Sequence, residues 1–193
     1  MKHAILIIAG ILIFNIAKAQ DEKFEIKGSA GVVTMVNYPA ISIFQDNTAS
    51  YSSGSQALQF AYRWNSTWIG LHYQTASFST FAVDLTEATR MHLVALSLRM
   101  NQKFGGHFEV AAGIKGGLSI AQCHKFQTRL GGYAEFDLGV NYHFSHGFFV
   151  GVNAAFFYGS HSDNNLDVPA GYTQNYHIDY GGYSIMLNYG VRF

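Results

Sequence analysis

Gly181-Gly182-Tyr183-Ser184-Ile185-Met186-Leu187-Asn188-Tyr189-Gly190-Val191-Arg192-Phe193 closes the chain. Counting back in twos from Phe193 gives Val191, Tyr189, Leu187, Ile185 and Tyr183. Arg192, Gly190, Asn188, Met186 and Ser184 fall between them and are mostly small or polar. Strict alternation over this length describes a strand with one apolar and one polar face. Roughly 9–11 such residues let a tilted strand cross a bilayer.

The same alternation recurs along the chain. It predicts eight strands, near residues 24–36, 55–65, 67–76, 90–101, 107–121, 129–144, 147–159 and 177–193. Their connections alternate in length. Short ones are expected at 65–66, 101–106 and 145–147, long ones at 37–54, 77–89 and 159–176, and an intermediate one around Cys123. Short turns on one side and long loops on the other are the habit of membrane barrels, with both termini on the short-turn side and an even strand number.

The phase of each strand tests this. One face carries Phe24, Ile26 and Val32, then Leu58, Phe60 and Tyr62, then Val94, Leu96 and Leu98, with equivalent runs in the other strands. On this face the reading finds no Asp, Glu, Lys or Arg. A cation facing lipid at mid-bilayer costs about 2–4 kcal/mol, so its absence suits a lipid-facing surface. The opposite face holds Glu25, Lys27, Arg63, Arg99, Glu109, Lys115, Glu135 and Asp137, four cations and four anions, with Arg192 left at the rim. His72, Gln59, Gln74, Asn141, Asn153 and Asn188 share that face. Ions in a narrow lumen must be paired. The expectation is therefore a structural ion-pair network rather than an ion or proton path, since an eight-stranded barrel is just wide enough for side chains. On this reading Arg63→Leu weakens the barrel. Trp64 and Trp68 beside the first turn, Phe104 and Phe108 beside the second, and Tyr142, Phe144, Phe148 and Phe149 beside the third read as an aromatic belt at a membrane interface. A soluble barrel with an apolar interior would instead point these charges into its own core.

The start of the chain fits export. Met1-Lys2-His3 is basic, residues 4–16 are apolar apart from Gly10 and Asn15, and Ala17-Lys18-Ala19 has a small-x-small cleavage pattern. Residues 1–19 are read as a secretory signal peptide and 20–193 as one barrel domain. Without the leader, Lys plus Arg falls from 12 to 10 against 12 Asp plus Glu, a formal charge of −2. No basic patch suits nucleic acid. A single cysteine, Cys123, excludes an intramolecular disulfide. Charged residues make up 12% of the chain, about half the usual share, while aromatics reach 16%, which favours an all-β membrane protein.

The terminal strand resembles the C-terminal signal of bacterial outer-membrane barrels, in which a final aromatic and alternate apolar residues are read by the barrel-assembly machinery. Phe193, Val191, Tyr189, Leu187 and Ile185 are the residues that match it. The resemblance implies that deleting Phe193 slows assembly. The whole of 20–193 resembles the small barrels of the OmpX and OmpA-transmembrane-domain type, by pattern rather than by motif. It departs from OmpA in having no peptidoglycan-binding domain after the last strand. The fold implied is an eight-stranded antiparallel up-and-down transmembrane β-barrel, monomeric, in the outer membrane of a Gram-negative cell envelope. The partners implied are outer-membrane lipid, lipopolysaccharide and the assembly machinery.

Signals for chemistry are weak. His143-Phe144-Ser145 resembles the His-x-Ser-Asn motif of an outer-membrane lipid A deacylase family, but His146 stands where that motif has Asn. The pair is expected at a periplasmic turn, with no acid beside it. Ser160-His161-Ser162-Asp163 lies at the outer end of its strand and departs from the same motif. Asn65-Ser66-Thr67 matches a glycosylation acceptor by chance, in a turn expected to face a bacterial periplasm. Cys123-His124 lacks metal-site spacing. No catalytic residue, cofactor or metal is therefore expected. The loops at 37–54 and 160–176 mix Tyr with Asn, Asp and Ser, a composition that suits recognition surfaces. The function expected is structural, adhesive or recognitive, without an open pore. The alternatives are a lipid-modifying enzyme or an accessory part of a secretion or assembly system.

Overall fold

The computed structural model describes residues 22–39, 49–82, 85–123, 126–144, 147–163 and 176–193. The leader at 1–19 lies outside these. Eight strands follow one another: β1 Phe24–Pro39, β2 Ala49–Trp64, β3 Thr67–Ala82, β4 Leu85–Phe104, β5 Phe108–Cys123, β6 Phe126–His143, β7 Phe148–Asp163 and β8 Tyr176–Arg192. Each pairs antiparallel with its neighbour, and β8 pairs with β1 to close the barrel. Closure leaves no unpaired strand edge, which a lipid environment demands because it offers no other hydrogen-bonding partner.

The register fixes the shape. The ladder runs from Phe24 through Tyr62, Ile69, Leu98, Ile114, Phe136, Phe156 and Tyr183 and returns to β1 at Thr34, ten residues further on. That stagger tilts the strands by roughly 35–45° and leaves an interior that side chains can fill.

The strands run longer than the alternation predicts. Most of 77–89 is strand, since β3 continues to Ala82 and β4 begins at Leu85. Likewise β1 reaches Pro39, β2 starts at Ala49, β7 reaches Asp163, and only two residues separate β5 from β6. Ladder hydrogen bonds are made by the backbone, so a strand can continue where its sequence no longer alternates.

The outward face is apolar around the barrel, with Phe60, Leu71, Leu96, Ile114, Phe156 and Leu187 among its exposed residues. Arg90 corrects the uncharged reading of this face: it shares the outward phase of β4 and is exposed, beyond Val94 and His92 toward the end away from the termini. The aromatic belt needs correction too. Trp64, Phe104, Phe108, Tyr142, Phe144 and Phe148 are on the outside, but Trp68 and Phe149 are buried in the lumen. Both stand in antiphase to outward neighbours, Ile69 and Phe148, so alternation alone places them inside. At the rim Tyr142 meets Phe108 and Phe144 edge-on, at 5.2 and 5.0 Å. The turn between β2 and β3 is closed by Asn65 at φ 56°, a left-handed conformation that Asn tolerates.

Candidate functional site in the lumen

The lumen is stacked in three tiers. The first lies at the end that carries the termini. Barrel closure sets Arg192 directly opposite Glu25 in the β1–β8 ladder. Arg192 is 1% exposed and its Nε donates to Glu25 Oε2 at 2.8 Å. Its Nη1 and Nη2 clamp Glu109 Oε2 and Oε1 at 2.6 and 2.7 Å, a bidentate arrangement. Arg99 Nη2 reaches the same Glu25 oxygen at 2.6 Å. Asn101 and Asn141 donate to Glu109 Oε1 at 2.9 and 3.0 Å. The Arg192 guanidinium also lies 4.8 Å from the Trp68 ring and 5.1 Å from the Phe149 ring. Two cations, two anions and two aromatic faces thus form a neutral cap across the barrel.

Two features of this cap depart from the sequence expectation. Arg63 is not in the lumen. It is exposed, and its Nε donates to the carbonyl of Asn65 at 3.1 Å. It has the inward phase but sits one residue from the end of β2, where its long side chain stays in water. Arg192, assigned to the rim, takes the place expected for it, because closure pairs the last strand with the first. An acid also stands beside His143: Glu109 Oε2 lies 3.4 Å from its Nε2. Glu109 is already held by Arg192, and Ser145 lies outside the described residues. The arrangement is a buried ion-pair network rather than a nucleophile, base and acid in line.

The middle tier is polar. Lys115 pairs with Glu135 and, at 3.1 Å, with Asp137, and the Tyr133 hydroxyl donates to Glu135. Gln59 donates to Ser97, His72 bonds Gln74, and Ser29 donates to Asn188. Lys27 is 4% exposed and makes no ion pair or hydrogen bond among the described residues. It balances the surplus carboxylate of the Lys115 group from a distance, so the interior holds Lys27, Arg99, Lys115 and Arg192 against Glu25, Glu109, Glu135 and Asp137.

The third tier was not legible as such. Toward the end away from the termini, Val33, Met35, Met91, Leu93, Tyr133 and Tyr180 form one apolar cluster inside the barrel, with Phe157 packed against it. Ring and glycine alternate across the β7–β8 seam. A Cβ at Gly159 would strike the Tyr180 ring, and one at Gly190 would come within 2.5 Å of Phe149. The signal existed: the inward phase carries Val33 and Met35 in β1, Met91 and Leu93 in β4, and Tyr180 in β8. It was masked by the charged and polar residues in the inner half of the same strands.

The residues of the terminal-strand signal divide. Tyr189, Leu187 and Ile185 are exposed on the outer face. Val191 is 5% exposed, lying between Ile26 and Phe148 in the ladders on either side. Phe193 stacks on Phe24 at 5.9 Å, and its carbonyl accepts from the amides of Lys23 and Phe24.

No protein-family model matches the chain, and no curated protein matches it. Solved structures do match in fold. The chain is similar to Neisserial surface protein A at 14% identity and a TM-score of 0.58, covering 88% of this chain and 97% of that one. It is similar to the outer membrane protein OprG from Pseudomonas aeruginosa at 13% identity and a TM-score of 0.56, covering 92% and 98%. Those values show a shared barrel fold.

Proposed function

We propose that the chain is a non-conducting barrel of a bacterial outer membrane that acts as a structural or surface-recognition protein through its outer loops. The observation that carries this reading is the filled lumen. A neutral network of paired charges lies across one end of the lumen, and an apolar cluster occupies the interior toward the other. Among the described residues the cap carries no unpaired charge, and an apolar constriction at the other end would oppose conduction. The outward apolar face supports membrane residence, because in water so large an exposed apolar surface would drive aggregation. The two similar structures are an outer-membrane protein and a surface protein by name, which supports the same compartment. Export by a cleaved leader, delivery by the barrel-assembly machinery, a monomeric state and contact with lipopolysaccharide belong to this proposal.

Two measurements test it. Outer-membrane fractions, run with and without boiling, are expected to give a heat-modifiable band. Planar bilayers containing the purified protein are expected to remain silent. A soluble periplasmic protein of unchanged mobility, or sustained single-channel steps, would overturn the reading.

A further inference from the structure

A cavity of about 280 Å³ opens at the rim that carries the termini. Its buried part is Trp68, Glu109 and Arg192, and its exposed part is Arg63, Ser66 and Lys103. The buried part is electrically neutral, since both Glu109 oxygens accept from Arg192. The exposed part is not. The two terminal nitrogens of Arg63 have no partner among the described residues, because only its Nε is used. Lys103 meets Glu22 at 3.7 Å, and both are partly exposed, a contact that an anion displaces at little cost. A two-pronged cationic lip therefore faces a small polar recess.

On the other side of the same wall runs an apolar groove of about 390 Å³, lined by Phe24, Phe60, Tyr62, Ile69, Leu71 and Leu96. Strand alternation joins the two features. Tyr62 faces the groove and the next residue, Arg63, faces the cavity. Ile69 faces the groove and the preceding residue, Trp68, faces the cavity. Trp64 and Phe104, each adjacent to a lip cation, are exposed on the outside, as aromatics at a lipid headgroup boundary are. An apolar trough on the outer face, reaching the rim where the exposed Arg63 and the loosely held Lys103 stand, is complementary to one kind of molecule, an acyl chain bearing a phosphate.

We propose that this rim holds one anionic phospholipid of the periplasmic leaflet, with an acyl chain along the groove and its phosphate between Arg63 and Lys103. The planar guanidinium of Arg63 offers a fork of donors to phosphate oxygens, and Lys103 adds a point charge. The site rests on the outer-membrane reading proposed above, with the termini and short turns on the periplasmic side.

The test uses the full-length barrel, delipidated in detergent and re-equilibrated with phosphatidylglycerol, read by native mass spectrometry. The wild type is expected to retain one phosphatidylglycerol. Arg63→Gln with Lys103→Gln is expected to lower retention at least tenfold, and Arg63→Lys with Lys103→Arg to restore most of it. Heat-modifiable mobility of each variant, run in parallel, separates loss of the site from loss of the barrel. Equal retention by wild type and the double Gln variant would overturn the proposal. Displacement of the lipid by glycerol 3-phosphate alone would also overturn it, because the site would then bind a free anion and the groove would contribute nothing.

Discussion

At the scale of single residues, the contrast between Arg63 and Arg192 is instructive. Both are arginines of inward phase near the terminal end. One is exposed with a single contact, and the other is enclosed by two carboxylates and two rings. Removing one partner of a buried ion pair leaves an uncompensated charge and costs about 3–5 kcal/mol. Arg192→Leu is therefore expected to lower the unfolding free energy of the lipid-reconstituted barrel, read from urea titration, by that order. Arg63→Leu is expected to stay within about 0.5 kcal/mol of wild type, as exposed substitutions do. The weakening expected from sequence at Arg63 passes to Arg192. Equal effects of the two substitutions would mean that the cap does not stabilise the fold.

At the scale of elements, the β7–β8 seam depends on small residues beneath rings. Gly190 on β8 leaves the space that the Phe149 ring of β7 occupies, and that ring in turn lies against Arg192. Gly190→Val is expected to displace the ring and to press on the Ile26 carbonyl, which a Cβ would approach to 2.6 Å, and so to destabilise by about 3 kcal/mol, the upper end of the usual cost of overpacking. Its signature is a lower unfolding midpoint with the band still heat-modifiable. A midpoint at or above that of wild type would show that the seam tolerates the added side chain. The same seam shows how far an element can be read from pattern. The alternation of β8 gave its faces correctly down to Tyr183. It could not show that Val191, on the outward phase, is buried.

At the scale of the molecule, the barrel is inverted relative to a soluble protein, with apolar side chains outward and charges inward. That inversion has a measurable cost when broken. Leu96 is 64% exposed on β4, midway along the apolar face. Leu96→Arg is expected to destabilise the barrel in lipid by about 2–4 kcal/mol, the price of a cation near the bilayer midplane. The same substitution should matter far less if this face met water, so a shift under 0.5 kcal/mol in lipid vesicles would contradict the membrane reading.

Strand number, the phase of each strand and the inward placing of most charges are legible in residue order alone. Those follow from a period of two, which is local and survives without any partner. Among the described residues, Arg192 is the one buried charge that the alternation did not assign to the lumen. Three things were decided only by tertiary structure. The choice of Arg192 over Arg63 depends on closure, because the last strand meets the first only when the ring is complete. The extent of the strands beyond the bilayer depends on ladder hydrogen bonds, which leave no trace in side-chain polarity. The division of the lumen into a charged cap and an apolar cluster depends on the ten-residue stagger, which brings residues distant in sequence to one height. Alternation is a property of one strand, whereas height in a tilted barrel is a property of all eight together.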